Sequence, residues 1–181
     1  MATGLESIDQ VFTLLKSKDT GIKFINDIPV DISKGQDVLN YQYFYNGAGV
    51  AIGDINNDGL PDIYFTANKG PNKLYLNLGS MKFKDITASA GVGSMRYSTG
   101  VVFADINQDG YMDIYVCNGG NSKSKDRENQ LYINNGDLTF SEQAKKYGLN
   151  DSNYSSQAAF FDYDLDGDLD IYVMNHSIHF R

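Results

Sequence analysis

The chain has few of the residues that build disulfides, membrane spans or basic surfaces. Cys117 is its one cysteine, so no disulfide can form within the chain. No apolar run approaches the ~18 residues of a membrane span, and residues 1–10 lack the basic start and apolar stretch of a signal peptide. The chain has 15 basic and 23 acidic residues, and its basic residues form no stripe that could bind phosphates. We therefore expect no membrane span and no nucleic-acid partner.

The chain also lacks the short motifs of several catalytic sites. It contains no Gly-x-Ser-x-Gly, no phosphate-binding loop and no Cys-x-x-Cys. Proline is scarce, at three residues, whereas 18 glycines suit many short strands joined by tight turns. A hydrophobic content of 41% with 13 Tyr and 10 Phe is typical of a globular chain, and 181 residues suffice for a core.

One acidic pattern occurs three times, in residues 54–62, 105–113 and 162–170. Each copy has oxygen-bearing side chains at positions 1, 3, 5 and 9 and glycine at position 6. Carboxylates at alternate positions repel one another, and a hard cation such as Ca²⁺, which takes six to eight oxygen ligands, neutralises them. The glycine allows the sharp turn that wraps an ion. We therefore predict three calcium sites.

The predicted ligands of each ion are the side chains of positions 1, 3, 5 and 9 and the main-chain carbonyl of position 7. They are Asp54, Asn56, Asp58, Leu60 and Asp62 in loop 1, Asp105, Asn107, Asp109, Tyr111 and Asp113 in loop 2, and Asp162, Asp164, Asp166, Asp168 and Asp170 in loop 3. The loops hold 11 of the 23 acidic residues, so much of the net charge of −8 belongs to the predicted sites.

The EF-hand is the main alternative for such a loop. It needs a bidentate Glu at position 12 and a helix on each side, but position 12 is Phe65, Val116 and Val173 here. The flanking runs are β-branched and aromatic, which favours strands. Because these runs are almost continuously apolar, we expect strands buried on both faces. Each loop is therefore predicted to join two strands of a hairpin.

A second hairpin follows two of the loops. Residues 72–83 match residues 129–140 as Asn-x-Leu-Tyr-x-Asn-x-Gly with a later Phe, an alternation with an Asn/Gly turn. A repeat of about 50 residues with four strands indicates an all-β fold of antiparallel β-propeller blades. We assign residues 46–98 to the first blade, 99–155 to the second and 156–181 to the first hairpin of a third. The chain thus holds fewer than three blades.

Residues 1–45 precede the first blade. Within them, about 12–25 resemble an isolated fourth strand that closes a last blade, with a helix over residues 5–20 as the alternative. Closed propellers usually need four to eight blades. We therefore interpret the chain as part of a longer ring and expect edge-to-edge self-association, because unpaired sheet edges are templates for pairing.

The loops and hairpins together resemble the FG-GAP/VCBS repeat family. The resemblance covers most of residues 41–176 and is greatest to bacterial secreted proteins similar to cartilage acidic protein, with blades like those of integrin α-subunits. It implies a calcium-binding propeller of about seven blades, on an exported, periplasmic or cell-surface protein. It also implies the same ligand positions as above. The third loop departs from the pattern, with Asp at positions 3 and 7.

Two classes of function remain open from the sequence. The favoured one is a non-catalytic module that binds a protein or carbohydrate, as in adhesion. The alternative is part of a propeller-type enzyme that acts on polysaccharides, such as a lyase, with most catalytic residues outside this chain. Its only candidates here are His176 and His179. The aromatic segment 41–45 is predicted to pack in the core, with stacking on sugar rings as the alternative.

Overall fold

The fold consists of three antiparallel β-sheets, described for residues 12–120 and 123–177 by a computed structural model. The first sheet contains β1 (Val50–Gly53), β2 (Asp62–Phe65), β3 (Lys73–Asn77) and β4 (Phe83–Asp85), paired in chain order. This order is that of the predicted blade. Loop 1 joins β1 to β2, and the Asn/Gly turn joins β3 to β4.

The second sheet repeats this order with slightly longer strands. It contains β5 (Ser98–Ala104), β6 (Asp113–Asn118), β7 (Gln130–Asn134) and β8 (Phe140–Glu142). The third sheet has two described strands, β9 (Ser155–Phe161) and β10 (Asp170–Asn175). The predictions of an all-β fold and of fewer than three four-stranded blades are confirmed for the described residues.

Short helical turns connect the strands. They are α1 (Ser17–Thr20), α2 (Thr87–Ala90), α3 (Ser124–Arg127), α4 (Ala144–Tyr147) and one 3₁₀ turn, Ile32–Lys34. Four of them end at a glycine in the left-handed region, which closes the turn: Gly21, Gly35, Gly91 and Gly148. Within the described residues, no helix has the length and hydrophobicity that crossing a bilayer requires.

Residues 12–25 form no strand in this structure, and the prediction that this segment closes a last blade stays a prediction. Residues 12–16 have no regular structure, and α1 and Gly21 follow them. A strand exists through hydrogen bonds to a neighbour, and no described strand pairs with this segment. Instead the segment packs on the first blade, where Lys23 N donates to the Tyr75 hydroxyl at 3.2 Å and Phe24 stacks on Phe65 at 4.9 Å. Of the alternative helix, only Ser17–Thr20 is helical, and residues 5–11 lie outside the described residues.

The core lies between neighbouring sheets. Strand β6 is buried on both faces: Ile114 and Val116 belong to the cluster shared with the first sheet, whereas Tyr115 and Cys117 belong to the cluster shared with the third. This explains its continuous apolar sequence and confirms the expectation of double-sided burial for β6. The same expectation is wrong for β1 and β10, because they lie in the two outer sheets, where Ile52 is 65% and Tyr172 is 66% exposed. Burial also raises the pKa of the Cys117 thiol to about 12, so Cys117 behaves as a packing residue.

The first strands of the three sheets approach one another closely. A Cβ at Gly49 would lie 2.7 Å from the Thr99 carbonyl oxygen, and one at Gly100 would lie 2.5 Å from that of Ser156. Because real Cβ contacts are longer, these positions require glycine. The sequence places both glycines just before the four residues that lead into a loop, so the blades are in register.

Candidate functional site

Each acidic loop closes the inner hairpin of its sheet. The residue before position 1 pairs with position 9 in all three loops: Gly53 opposes Asp62, Ala104 opposes Asp113 and Phe161 opposes Asp170. The hairpin register therefore places positions 1 and 9 at the same end of each hairpin.

The position 1 carboxylate organises the turn. Asp54 Oδ2 accepts the Gly59 N–H at 2.7 Å, Asp105 Oδ2 accepts the Gly110 N–H at 2.8 Å, and Asp162 Oδ2 accepts the Gly167 N–H at 3.1 Å. The acceptor is position 1 and the donor is the glycine of position 6 in every loop. The backbone of each loop is therefore curved around its position 1 carboxylate.

Positions 3 and 5 face each other in the same turn. The position 5 carboxylate accepts the N–H of position 7, from Leu60 to Asp58 at 2.8 Å and from Tyr111 to Asp109 at 2.9 Å. In the first loop the Asn56 side-chain amide also donates to Asp58 at 3.0 Å. The carboxylates are thus held in place, and each oxygen retains lone pairs for a further partner.

The position 9 carboxylates of the first two loops are the buried members. Asp113 accepts the N–H of Ile106 at 2.9 Å and that of Asn134 at 2.8 Å, and Asp62 makes the equivalent pair of bonds. Burial is the main cause that raises the pKa of Asp62 and Asp113. The two N–H donors lower this pKa, and repulsion from the other carboxylates of the loop raises it. These aspartates therefore tie the loop to the third strand of the blade, a role that the sequence does not predict.

The recurring asparagine at the end of the third strand completes this link. The Asn77 side chain donates to the Pro61 carbonyl at 2.9 Å, and Asn134 donates to the Met112 carbonyl at 3.1 Å. Both acceptors are position 8 of the loop. The sequence signal was present, as the second Asn of the repeated Asn-x-Leu-Tyr-x-Asn pattern, but it indicated only a hairpin turn.

Two loop oxygens test whether these residues fit a cation. Asn56 Oδ1 and Asp162 Oδ1 are buried and lack a hydrogen-bond partner among the described residues. They occupy positions 3 and 1, which are predicted ligand positions. An orphaned buried oxygen is costly unless it has a partner, so the donor set fits a cation that binds oxygen.

The third loop has the greatest concentration of negative charge. Carboxylate oxygens of Asp162, Asp164 and Asp166 lie within 4.8 Å of one another. Repulsion from Asp166 is the main cause that raises the pKa of Asp168. Such a cluster of hard, anionic oxygens is the ligand type that Ca²⁺ prefers. The main-chain carbonyls of Leu60, Tyr111 and Asp168 lie in the same turns, and their part as ligands stays a prediction.

A cavity lies at the other end of the inner strands. It measures about 260 Å³ and is lined by the starts of β1, β5 and β9 together with Tyr41, Tyr43 and His176. His176 Nε2 lies 2.9 Å from the Tyr41 hydroxyl, and its ring is 3.9 Å from that of Tyr43. Tyr41 and Phe44 are buried, as expected for segment 41–45, whereas Tyr45 is 59% exposed and departs from that expectation. His179, the second histidine of the enzyme alternative, lies outside the described residues.

Comparison with known proteins identifies related repeats. The family model described as "FG-GAP-like repeat" matches residues 54–116 and 118–173. These two ranges begin at position 1 of loop 1 and contain all three loops.

Individual relatives support the same grouping. The chain is 32% identical to cartilage acidic protein 1 of Xenopus tropicalis over 139 residues, which cover 76% of this chain and 21% of that protein. It is 40% identical to cartilage acidic protein 1 of Homo sapiens over 76 residues, 41% of this chain and 12% of that protein. It is 34% identical to integrin alpha-8 of Gallus gallus over 107 residues, 51% of this chain and 10% of that protein. The chain thus spans about a fifth or less of the length of these relatives.

Proposed function

Because the chain belongs to the FG-GAP-like repeat family, we propose that it is a calcium-stabilised binding module without catalytic activity. The observation that carries this proposal is the common geometry of the three loops. In each, the position 1 carboxylate holds the glycine N–H of position 6. Two ligand-position oxygens are buried without a described partner.

Calcium is the cation that suits these loops best. Every side chain at positions 1, 3, 5 and 9 offers oxygen, and none offers nitrogen or sulfur as a ligand. Ca²⁺ accepts six to eight such oxygens in a flexible geometry, whereas Mg²⁺ demands a near-ideal octahedron. The ion would be held by the side chains of positions 1, 3, 5 and 9 with the carbonyl of position 7.

Calcium would act chiefly on stability. An ion that binds only the folded state at 100 times its dissociation constant contributes about 2.7 kcal/mol per site. Three such sites rival the whole unfolding free energy of about 5–15 kcal/mol that is common for a domain. Sites of extracellular modules bind at about 10⁻⁴ to 10⁻³ M, which suits an exported or cell-surface location. The relatives' names, integrin alpha-8 and cartilage acidic protein 1, agree with that location.

The cavity at the starts of the inner strands is our candidate for the ligand. It combines aromatic rings, Tyr43 and His176, with polar side chains such as Asn46 and Gln157. Rings beside hydrogen-bonding groups can receive either a protein side chain or a sugar. In the enzyme alternative, His176 would be a candidate, but its ring packs against Tyr43 and its Nε2 lies 2.9 Å from the Tyr41 hydroxyl.

The open face of the third blade supports self-association as part of the proposal. Tyr172 is 66% exposed and Met174 50% exposed on β10, although the equivalent strand β6 is wholly buried between sheets. We propose that a further blade, in a ring of about seven, or a second copy of the chain covers this face. Sedimentation velocity at several concentrations measures it, and a strictly monomeric chain would count against the second copy.

Metal content and thermal stability test the calcium proposal together. We expect about three Ca²⁺ per chain by elemental analysis after dialysis against calcium, and a melting temperature that falls by several degrees in EDTA. The matched control is a chain with Asp→Asn at position 5 of all three loops, Asp58, Asp109 and Asp166. Its melting temperature should be insensitive to EDTA. A wild-type chain that binds no calcium and melts identically in EDTA would refute the proposal.

A further inference from the structure

Position 4 of each loop adopts the left-handed backbone conformation. The residues are Asn57, Gln108 and Leu165, with φ of 60°, 58° and 63°. In loops 1 and 2 the side chain of this residue reaches the neighbouring loop. None of the three is a predicted ligand.

Two of these side chains form hydrogen bonds to the next loop. Asn57 Nδ2 donates to the Gly110 carbonyl at 2.9 Å, and Gln108 Nε2 donates to the Gly167 carbonyl at 3.1 Å. The donor is position 4 of one loop and the acceptor is position 6 of the next. Two equivalent contacts between different pairs of loops indicate a repeated arrangement.

The acceptor peptide also holds a carboxylate of its own loop. The peptide that carries the Gly110 carbonyl also carries the Tyr111 N–H, which donates to Asp109 at 2.9 Å. In the next loop, the peptide after Gly167 carries the Asp168 N–H, which donates to Asp166 at 3.1 Å. Hydrogen bonds in series polarise and strengthen one another. The amide of position 4 therefore fixes the peptide that orients the position 5 carboxylate of the following loop.

A contact in the reverse direction ties the first two loops. The Asn134 side chain, at the end of β7, donates to the Ile55 carbonyl at 2.8 Å. Asn134 N also donates to Asp113 of loop 2. Loop 1 and loop 2 are thus linked in both directions.

We infer that Asn57 and Gln108 are positioning residues that couple calcium binding in neighbouring loops. This inference rests on the proposed calcium sites. Asn57 lies between Asn56 and Asp58, two of the proposed ligands, so an ion that fixes them also fixes Asn57. Calcium in loop 1 then favours calcium in loop 2, and loop 2 favours loop 3 in the same way through Gln108.

Leu165 supplies the internal contrast. It occupies the same loop position with the same backbone conformation, it is 86% exposed, and its side chain has no donor. Leucine is therefore compatible with this turn. The variants Asn57→Leu and Gln108→Leu remove the bridging amide while placing at position 4 a residue that loop 3 already accepts.

The test follows calcium binding to each loop separately in the full chain. The amide resonances of Gly59, Gly110 and Gly167 provide one NMR signal for each loop. Each signal should respond to calcium, because the N–H donates to the position 1 carboxylate of the same loop. We expect Gln108→Leu to raise the dissociation constant of loop 3 by about threefold to tenfold, the effect of one lost hydrogen bond, and to leave loop 1 within about twofold. Asn57→Leu should weaken loop 2 in the same way. The control Leu165→Ala should leave all three loops unchanged.

The melting temperature in EDTA separates positioning from folding. It should be nearly equal for wild type and both leucine variants. If a leucine variant does not fold, Gln108→Met keeps the side-chain length, and Met81 already adopts a positive φ of 58° in this chain. Equal calcium affinities in all variants would overturn the coupling and leave the calcium sites standing. Wild-type glycine signals that do not respond to calcium would overturn both.

Discussion

Replacing Asp113 with asparagine separates the structural role of a position 9 aspartate, which accepts backbone N–H groups, from its proposed role as a calcium ligand. Its carboxylate is buried and accepts two backbone N–H groups, Ile106 at 2.9 Å and Asn134 at 2.8 Å. Asparagine keeps the shape but has one acceptor oxygen, so its NH₂ must face one of these donors. Asp113→Asn therefore breaks a hydrogen bond even without calcium.

The magnitude follows from burial. A buried donor left without a partner costs about 1–3 kcal/mol. Part of this is offset, because burial raises the pKa of Asp113, which means that its charge is unfavourable in the calcium-free protein. A net loss of about 1–2 kcal/mol corresponds to a fall of roughly 2–8 °C in melting temperature for a chain of this size. In calcium, the loss of one site adds about 2.7 kcal/mol at 100-fold saturation.

The matched control is Asp109→Asn in the same loop. It makes the same change of charge, but Asp109 is exposed and its bond from the Tyr111 N–H can pass to the amide oxygen. Calorimetry should show an almost unchanged melting temperature for Asp109→Asn in EDTA and a clear loss only in calcium. If the two variants melt alike in EDTA, the reasoning about the buried aspartate is wrong.

Two further predictions concern His176 and Cys117. Burial lowers the pKa of His176 below 6.5, so the unfolded chain binds a proton at His176 more readily than the folded chain does. The contribution of neutral His176 to the stability of the fold is therefore present above pH 6.5 and is lost as pH falls through the folded-state pKa. The melting temperature of the wild type should therefore fall more between about pH 7.5 and about pH 5.5 than that of His176→Gln, and equal slopes would contradict this. Cys117 should resist thiol reagents at about pH 8 until the chain is denatured, because its pKa is about 12; rapid labelling of the native chain would show that the thiol is accessible.

The loops and hairpins could be predicted because their signals are local and repeated. A glycine at position 6 and a strand run on each side are properties of about fifteen consecutive residues, and three copies in register exclude coincidence. The burial of β6 on both faces followed from its unbroken apolar sequence. Four-residue helical turns such as α2 and α4 are too short to show a helical period, and the sequence gives only the glycine that ends them.

The remaining features depend on how blades meet. The segment at residues 12–25 resembles a fourth strand in sequence. A strand also needs hydrogen bonds to a neighbouring strand, and the sequence of the segment does not show whether such a neighbour is present. The bridges from Asn57 and Gln108 required the relative placement of two loops 51 or 57 residues apart in sequence. The sequence shows an amide side chain at position 4 of loops 1 and 2, but nothing within one loop indicates where that amide points.

The distance between the loops and the cavity also limits how the proposed calcium ions could affect the binding of a ligand in the cavity. Strands β1, β5 and β9 start at the cavity and end at a loop, and β5 spans seven residues, or roughly 23 Å at about 3.3 Å per residue. An ion in a loop is therefore too far away to touch a molecule in the cavity. The proposed calcium ions would therefore influence binding there by holding the three inner strands in alignment. The calcium dependence of ligand affinity should then be the same for charged and uncharged ligands.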